Sequence, residues 1–319
     1  MPIYGGAEFL DDLLEAIKDQ SLMPDEVIFV ISKGKDSQII ENKLKNQDSL
    51  NISYKLIDLS YPGEARNIGV GSSKNAWIAF LDLRTLPISN WLESIYKATD
   101  SGKNQFVGAV RTCEANTPYK KMLQALTTGN VAEKCLSGSI VSRNLFNASK
   151  GFLPNVRAGE DLDWLNRISN IDEILWLEKP MIKYSGLPSN LIQTIKKWFW
   201  YSFENSKVDI LRTQKTLYVL LAVILLGIFA YNWNFVFTND QWDESPYFVP
   251  NLNKILWSVS LLLYILYRGL IRPFTLQENL HYLLPFRWML IGCLGVIIDI
   301  TKAPGRLFGF MQYIRKKVE

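Results

Sequence analysis

Histidine is almost missing from this chain: His281, in the apolar C-terminal part, is the single one. That scarcity excludes His-based zinc sites and a Ser–His–Asp triad. Cysteine is scarce too. Cys113, Cys135 and Cys293 are odd in number and lack metal-ligand spacing, which speaks against a disulfide framework and for buried thiols facing a reducing cytosol. The first residues lack an apolar core behind a basic stretch, so a secretory signal is not expected there. The net charge is only +4, and lysines and arginines form no long stripe with interleaved aromatics, so nucleic acid is not an expected partner. The basic residues cluster beside apolar segments instead, as at a membrane surface.

What is present divides into two halves. Hydrophobic residues make up 48% of the chain, and the excess is concentrated after Thr216. The front half alternates strand and helix signals. Glu26 to Ile31 and Trp77 to Leu81 are continuous apolar runs of strand length, Ile52 to Leu59 alternates, and Gln105 to Val110 follows. Leu10, Leu13, Leu14 and Ile17 recur at helical spacing, as do residues from Trp91 through Ile95. This alternation predicts an α/β architecture with a mainly parallel sheet, in which ligands sit beyond the carboxyl ends of the strands, where Asp82 falls.

In the back half, residues 217–237 form an uncharged apolar run long enough to span a bilayer, and 255–271 is a second candidate, interrupted by Arg268, which can snorkel. Asp240, Asp243 and Glu244 lie between these two runs, whereas the outer flanks carry Lys207, Arg212 and Lys215 on one side and Arg268, near the end of the second run, and Arg272 on the other. The bias predicts that the α/β part lies on the cytoplasmic side of the cell (inner) membrane. Residues 282–298 are ambiguous. A third span would export Lys302, Arg306 and Arg315 to Lys317, so the segment from Pro273 onward is expected to form interfacial or re-entrant helices. Ile195 to Phe203 reads either as an amphipathic helix at headgroup depth or as an ordinary core helix. The expected division is therefore an α/β domain over 1–194, an interfacial linker over 195–215 and a membrane region over 216–319.

Two short runs carry the chemistry. Gly63-Glu64-Ala65-Arg66-Asn67-Ile68-Gly69 leads through Phe80-Leu81-Asp82-Leu83-Arg84 to Pro87 and Trp91, and Gly159-Glu160-Asp161-Leu162-Asp163-Trp164 follows. Each puts carboxylates at the end of a regular element. The Glu160–Asp161 pair opens a helix, where acids meet the positive end of the dipole; acids there also serve stability alone. Gly69 to Lys74 lacks the spacing of either phosphate-binding glycine loop.

In order and spacing, from Pro2 to Tyr184, these runs resemble the family 2 glycosyltransferases, which transfer a sugar from a nucleotide diphosphate and fold as a GT-A (Rossmann-like) domain. The resemblance implies Asp161 as the base that deprotonates an acceptor hydroxyl, with Glu160 beside it. It implies Pro2, Tyr4, Ser32, Arg66, Asp82 and Arg84 on the nucleotide-sugar side, and Gly138, Ser139, Asp163 and Trp164 on the acceptor side. It also implies Mg²⁺ or Mn²⁺ held at Asp82. Arg66 meets either a phosphate or an acid.

The departures from the family pattern are specific. The second acid of the usual Asp-x-Asp is Arg84, which either faces the diphosphate or points to solvent. The base-reading acid is Ser32, and Tyr184 stands where many relatives carry a histidine. Pro2 to Ala7 matches a turn that normally follows a longer strand, which suggests a start upstream of Met1. Gln193 to Trp198 is one residue too long for the motif of processive synthases, so addition of one sugar is expected. The two expectations are a membrane-anchored inverting transferase acting on a lipid-linked or membrane-surface acceptor, or a catalytically degenerate relative that serves as a scaffold for another transferase.

Overall fold

The computed structural model describes residues 1–47, 49–206, 208, 244, 246, 248–249 and 252–318. The expected span over 217–237 lies outside the described residues. The chain divides into two compact units, residues 1–124 with 130–188, and 125–129 with 189–319.

In the first unit, β1 (Pro2–Ile3), β2 (Val27–Ser32) and β3 (Ile52–Ile57) form a parallel sheet in that order. The apolar run of β2 is buried at all but one position, as a central parallel strand requires, whereas β3 at the edge alternates. β1 is only two residues long and pairs Pro2 with Val30 and Ile3 with Ile31.

A second sheet runs β4 (Trp77–Ala79), β7 (Glu133–Ser142), β6 (Phe106–Cys113), β9 (Ile182–Tyr184), β5 (Thr85–Pro87), with β8 (Leu175–Trp176) also on β6. It is mixed: β7 runs antiparallel to β4 and β6, and β5 to β9, while β8 and β9 are parallel to β6. The strands of two or three residues carry no periodicity, so only their pairing defines them.

Helix α1 (Leu10–Lys18) buries Leu10, Leu13, Leu14 and Ile17. Helix α3 (Pro62–Ser72), after α2 (Ser37–Lys45), opens on Pro62, whose fixed φ suits a first helical position. Helices α4 (Trp91–Lys97), α5 (Pro118–Thr127), α6 (Arg143–Ala148) and α7 (Glu160–Ser169) complete the order. One core is aromatic. The fully buried Trp164 lies 4.5 Å from Phe152 between ring centroids and within 6 Å of Phe80, Phe106 and Phe146. Its indole N–H donates to the Ser149 hydroxyl at 2.8 Å, so burial leaves no donor unsatisfied.

The second unit is helical. α8 (Leu191–Asn205) is capped by Asn190, whose side chain accepts from the Gln193 N–H. It buries Thr194, Ser202 and Glu204 and exposes Ile192, Trp200 and Tyr201. α9 (Leu252–Leu266) continues through a π-helical turn, Tyr267–Ile271, into a short helix ending at Thr275.

The segment from Pro273 onward contains one long helix, α10 (Arg287–Val318). By length and composition, Lys254–Thr275 and Arg287–Gln312 are both able to cross a membrane. The 26 residues of the latter reach roughly 39 Å at 1.5 Å per residue, more than a bilayer core. α10 packs closely because it has glycines where backbones meet: a Cβ at Gly292 would collide with the Ile265 carbonyl, and one at Gly305 with the Ser202 hydroxyl.

Candidate active site

The site is built around one guanidinium. α3 carries Arg66, whose side chain is only 6% exposed. Its Nη2 donates to Asp82 Oδ1 at 2.8 Å and its Nη1 to Glu160 Oε1 at 2.9 Å. The Phe152 ring lies 5.4 Å from the guanidinium carbon. α3 can approach α7 this closely because residue 63 is glycine. A Cβ there would stand 3.0 Å from Glu160 Cγ and Phe152 Cβ and 3.1 Å from the Leu153 carbonyl.

Asp82 is fixed from below. Its N–H donates to the hydroxyls of Thr85 and Ser137 at 3.1 and 2.9 Å, and the Thr85 hydroxyl donates back to the Asp82 carbonyl at 2.6 Å. The turn after β4 is therefore locked, while the Asp82 side chain stays 40% exposed.

The electrostatics follow from burial. Burial opposes charge on Arg66, but Asp82, Glu160 and, farther off, Asp161 outweigh it and raise its pKa. Burial pushes Glu160 up to about 7 against the pull of Arg66, with Asp161 adding to the rise. The guanidinium is divided between two carboxylates, so it does not fully offset either. Asp161 is half-buried, and its carboxylate accepts the Leu162 N–H at 2.9 Å. Arg66, Asp82, Glu160 and Asp161 thus form one electrostatic cluster.

The other expected residues lie elsewhere in the unit. Pro2 is in β1, and Tyr4 is 63% exposed with its ring beside Gly34. Ser32 ends β2, buried, its hydroxyl 3.3 Å from that of Ser60. Arg84 is exposed, with its guanidinium carbon 5.0 Å from the centre of the Phe9 ring.

The four acceptor-side positions have other partners. Ser139 is fully buried: its hydroxyl donates to the Cys135 carbonyl and accepts the Ala109 N–H. Gly138 is held between strands, its N–H donating to the Phe80 carbonyl and its own carbonyl accepting from Trp91 Nε1. Trp164 sits in the aromatic core. Asp163 pairs with Arg167 at 2.8 Å, and Arg167 in turn donates to the carbonyls of Ser149 and Gly151. Helical geometry explains this: Glu160 and Trp164, four apart, share the buried face of α7.

Two residues matter more than the sequence suggested. The Asn67 side chain clamps the Phe152 backbone, donating to its carbonyl at 2.8 Å and accepting its N–H at 2.9 Å, which anchors the segment leading to Glu160. Arg111 on β6 stacks 4.7 Å over the Tyr184 ring and pairs with Glu133. Asn67 was legible in its run; Arg111 gave no signal, since its partners are set by strand pairing.

A divalent cation at Asp82 finds few donors. One oxygen of Asp82 is held by Arg66, the residue two positions on is Arg84, and the Tyr184 hydroxyl donates to the Gly186 carbonyl. Among the described residues, no three His, Cys, Asp or Glu side chains are grouped to hold a metal. These side chains do not by themselves form a divalent-cation site.

With this geometry in place, the comparisons are informative. Residues 1–149 match the Glycosyl transferase family 2 model. The match covers 149 of the 319 residues, all in the N-terminal part. The match ends before α7, so Glu160 and Asp161 lie beyond it. A mannosyltransferase from Pyrobaculum calidifontis, solved with GDP-Man and Mn2+, is 14% identical with a TM-score of 0.53, over 96% of this chain and 85% of that one. It supports a GT-A fold for this chain. S. aureus TarS is 14% identical with a TM-score of 0.46, and the chain spans 54% of its length. Its 1–349 fragment, solved with UDP-GlcNAc, gives a TM-score of 0.47 at 13% identity, over 99% of this chain and 90% of that one. No curated protein matches the chain.

Proposed function

We propose that the protein transfers one sugar from a nucleotide diphosphate to a hydroxyl acceptor at a membrane surface, with inversion at the anomeric carbon. The observation that carries this reading is the cluster around Arg66. Glu160 is buried and committed to the guanidinium, and Asp82 is tied to it on one side. Asp161 is the half-exposed carboxylate of the pair, and its recorded bond is to a backbone N–H.

In this reading Asp161 accepts the acceptor's proton as the acceptor oxygen bonds the anomeric carbon. The bond from that carbon to the diphosphate oxygen breaks, and its electron pair leaves with the diphosphate. Arg66 is a positioning residue: it holds Asp82 and Glu160 in place and keeps the mutual repulsion of three acids in check. A lipid-linked acceptor is supported by the two helices of membrane-crossing length and by the outward aromatic residues of α8. A cytoplasmic site is supported by the acids at 240, 243 and 244 against Arg268 and Arg272 on the outer flank.

The scaffold reading is favoured by Ser32, Arg84 and Tyr184 standing where the family pattern has other groups. One series separates the two. A donor that raises the melting temperature of the wild-type protein identifies a binding site, by mass action. Asp161→Asn is then expected to keep that shift while losing about 10²–10⁴-fold in release of the nucleotide from the donor. Wild-type turnover in Asp161→Asn removes the assigned base, and a protein that no nucleotide diphosphate stabilises is the scaffold.

A further inference from the structure

Three arginines stand at this end of the first unit, and their surroundings differ. Arg66 is offset by Asp82 and Glu160, and Arg111 by Glu133. Arg84 is exposed and, among the described residues, has no carboxylate within 4.0 Å; its recorded side-chain contact is the Phe9 ring. It is therefore the uncompensated cation of the group.

Its place is set by backbone on both sides. Thr85 pairs with Tyr184, and the Arg84 carbonyl accepts the Ser185 N–H at 3.0 Å. Phe9 follows the Tyr4–Gly6 turn at the end of β1, and the Gly6 N–H donates to Asp36 just beyond β2. Arg84 thus stands beside the carboxyl ends of the parallel strands, where α/β folds bind nucleotides. Its charge also acts on Tyr184, whose phenol is pushed up by burial and pulled back by Arg111 and Arg84. Arg84 and Tyr184 occupy the two positions at which the resemblance places cation-facing groups.

We propose that the Arg84 guanidinium takes the place of a protein-held divalent cation, binding the diphosphate of the nucleotide and offsetting its charge as it departs. This rests on the transfer reading above. A guanidinium suits the task because its planar fork donates two parallel hydrogen bonds to phosphate oxygens and never loses its proton. In the step, the anomeric carbon–oxygen bond breaks toward the diphosphate, whose new charge meets Arg84, while the acceptor's proton moves to Asp161. No electron or proton beyond these is required.

The test uses the full-length protein in detergent and isothermal titration with UDP, GDP, ADP, CDP and dTDP, each in EDTA and in Mn²⁺. The nucleotide that binds is expected to do so within about threefold under both conditions. Arg84→Ala should weaken it by about tenfold or more in EDTA. Arg84→Asp should lose binding in EDTA and regain it with Mn²⁺, because it returns a second carboxylate two residues from Asp82. Arg84 is exposed, so both variants should melt within a few degrees of wild type, which checks their fold. Wild-type binding that needs Mn²⁺, or Arg84→Ala binding as tightly as wild type, overturns the proposal and leaves the transfer reading standing. Absence of binding to all five nucleotides under both conditions overturns the transfer reading, and this proposal with it.

Discussion

The two units use apolar residues in opposite ways. In the first, the large side chains face inward: Trp164, Phe29 and Phe106 are all but inaccessible, and even a guanidinium and a carboxylate are buried to complete the site. In the second, many leucines and aromatics face outward. Leu262, Leu263 and Phe286 are 60% or more exposed, while α10 turns inward Ile291, Leu294 and Ile298 together with glycines that meet backbone, as Gly292 meets the Ile265 carbonyl. Only 11% of the most apolar window of Lys254–Thr275 is buried, and 33% for Arg287–Gln312. Burial from water is worth about 25 cal/mol per Å² of apolar surface, which stabilises the first arrangement. It offers no account of the second. Close backbone approach at small residues is how helices associate where the surroundings are as apolar as leucine.

The comparison is most directly broken in the first unit. Trp164→Ala leaves a void among four aromatic rings and removes the donor to the Ser149 hydroxyl, and is expected to cost about 3–5 kcal/mol. Chemical denaturation followed by near-UV circular dichroism checks it. A cost under about 1 kcal/mol would mean that this cluster is not what holds the unit together.

The second unit gives a paired test. Gly292→Val forces a side chain into the Ile265 carbonyl and should cost about 1–3 kcal/mol. Leu262→Ala, on an exposed face, should stay within about 0.5 kcal/mol in detergent. Thermal melting in one detergent measures both, and the reverse order would show that the outward leucines are a core in disguise.

The last test is a slope. Because Glu160 titrates near 7 in the fold and near 4.5 as an ordinary side chain, the folded protein binds more protons between those values. Its stability should therefore fall as pH rises from about 4.5 to about 7, by no more than about 1.4 kcal/mol per unit, and be flat for this group on either side. Glu160→Gln should remove that part of the slope in melting-temperature profiles. An unchanged profile would show that Arg66 keeps Glu160 ionised throughout.

Local pattern was enough for the order of elements in the front half. The unbroken apolar run of β2, the helical spacing of Leu10, Leu13, Leu14 and Ile17, and the proline that opens α3 are properties of neighbours along the chain, and each became the expected element. The same holds for the helix begun by Glu160 and Asp161. Tertiary structure alone decided what each charge meets. Arg66 finds Asp82 sixteen residues away and Glu160 ninety-four away, and no spacing rule reaches that far. Packing also turned Trp164 into the core and Asp163 toward Arg167, because neighbours on one helix point in different directions. Short strands such as β5, β8 and β9 exist only as partners of β6 and of one another, since two or three residues have no period of their own. Periodicity is a one-dimensional signal and survives in the sequence. The balance of burial and charge at a site is a sum over neighbours in space, so it becomes definite only when the chain has folded.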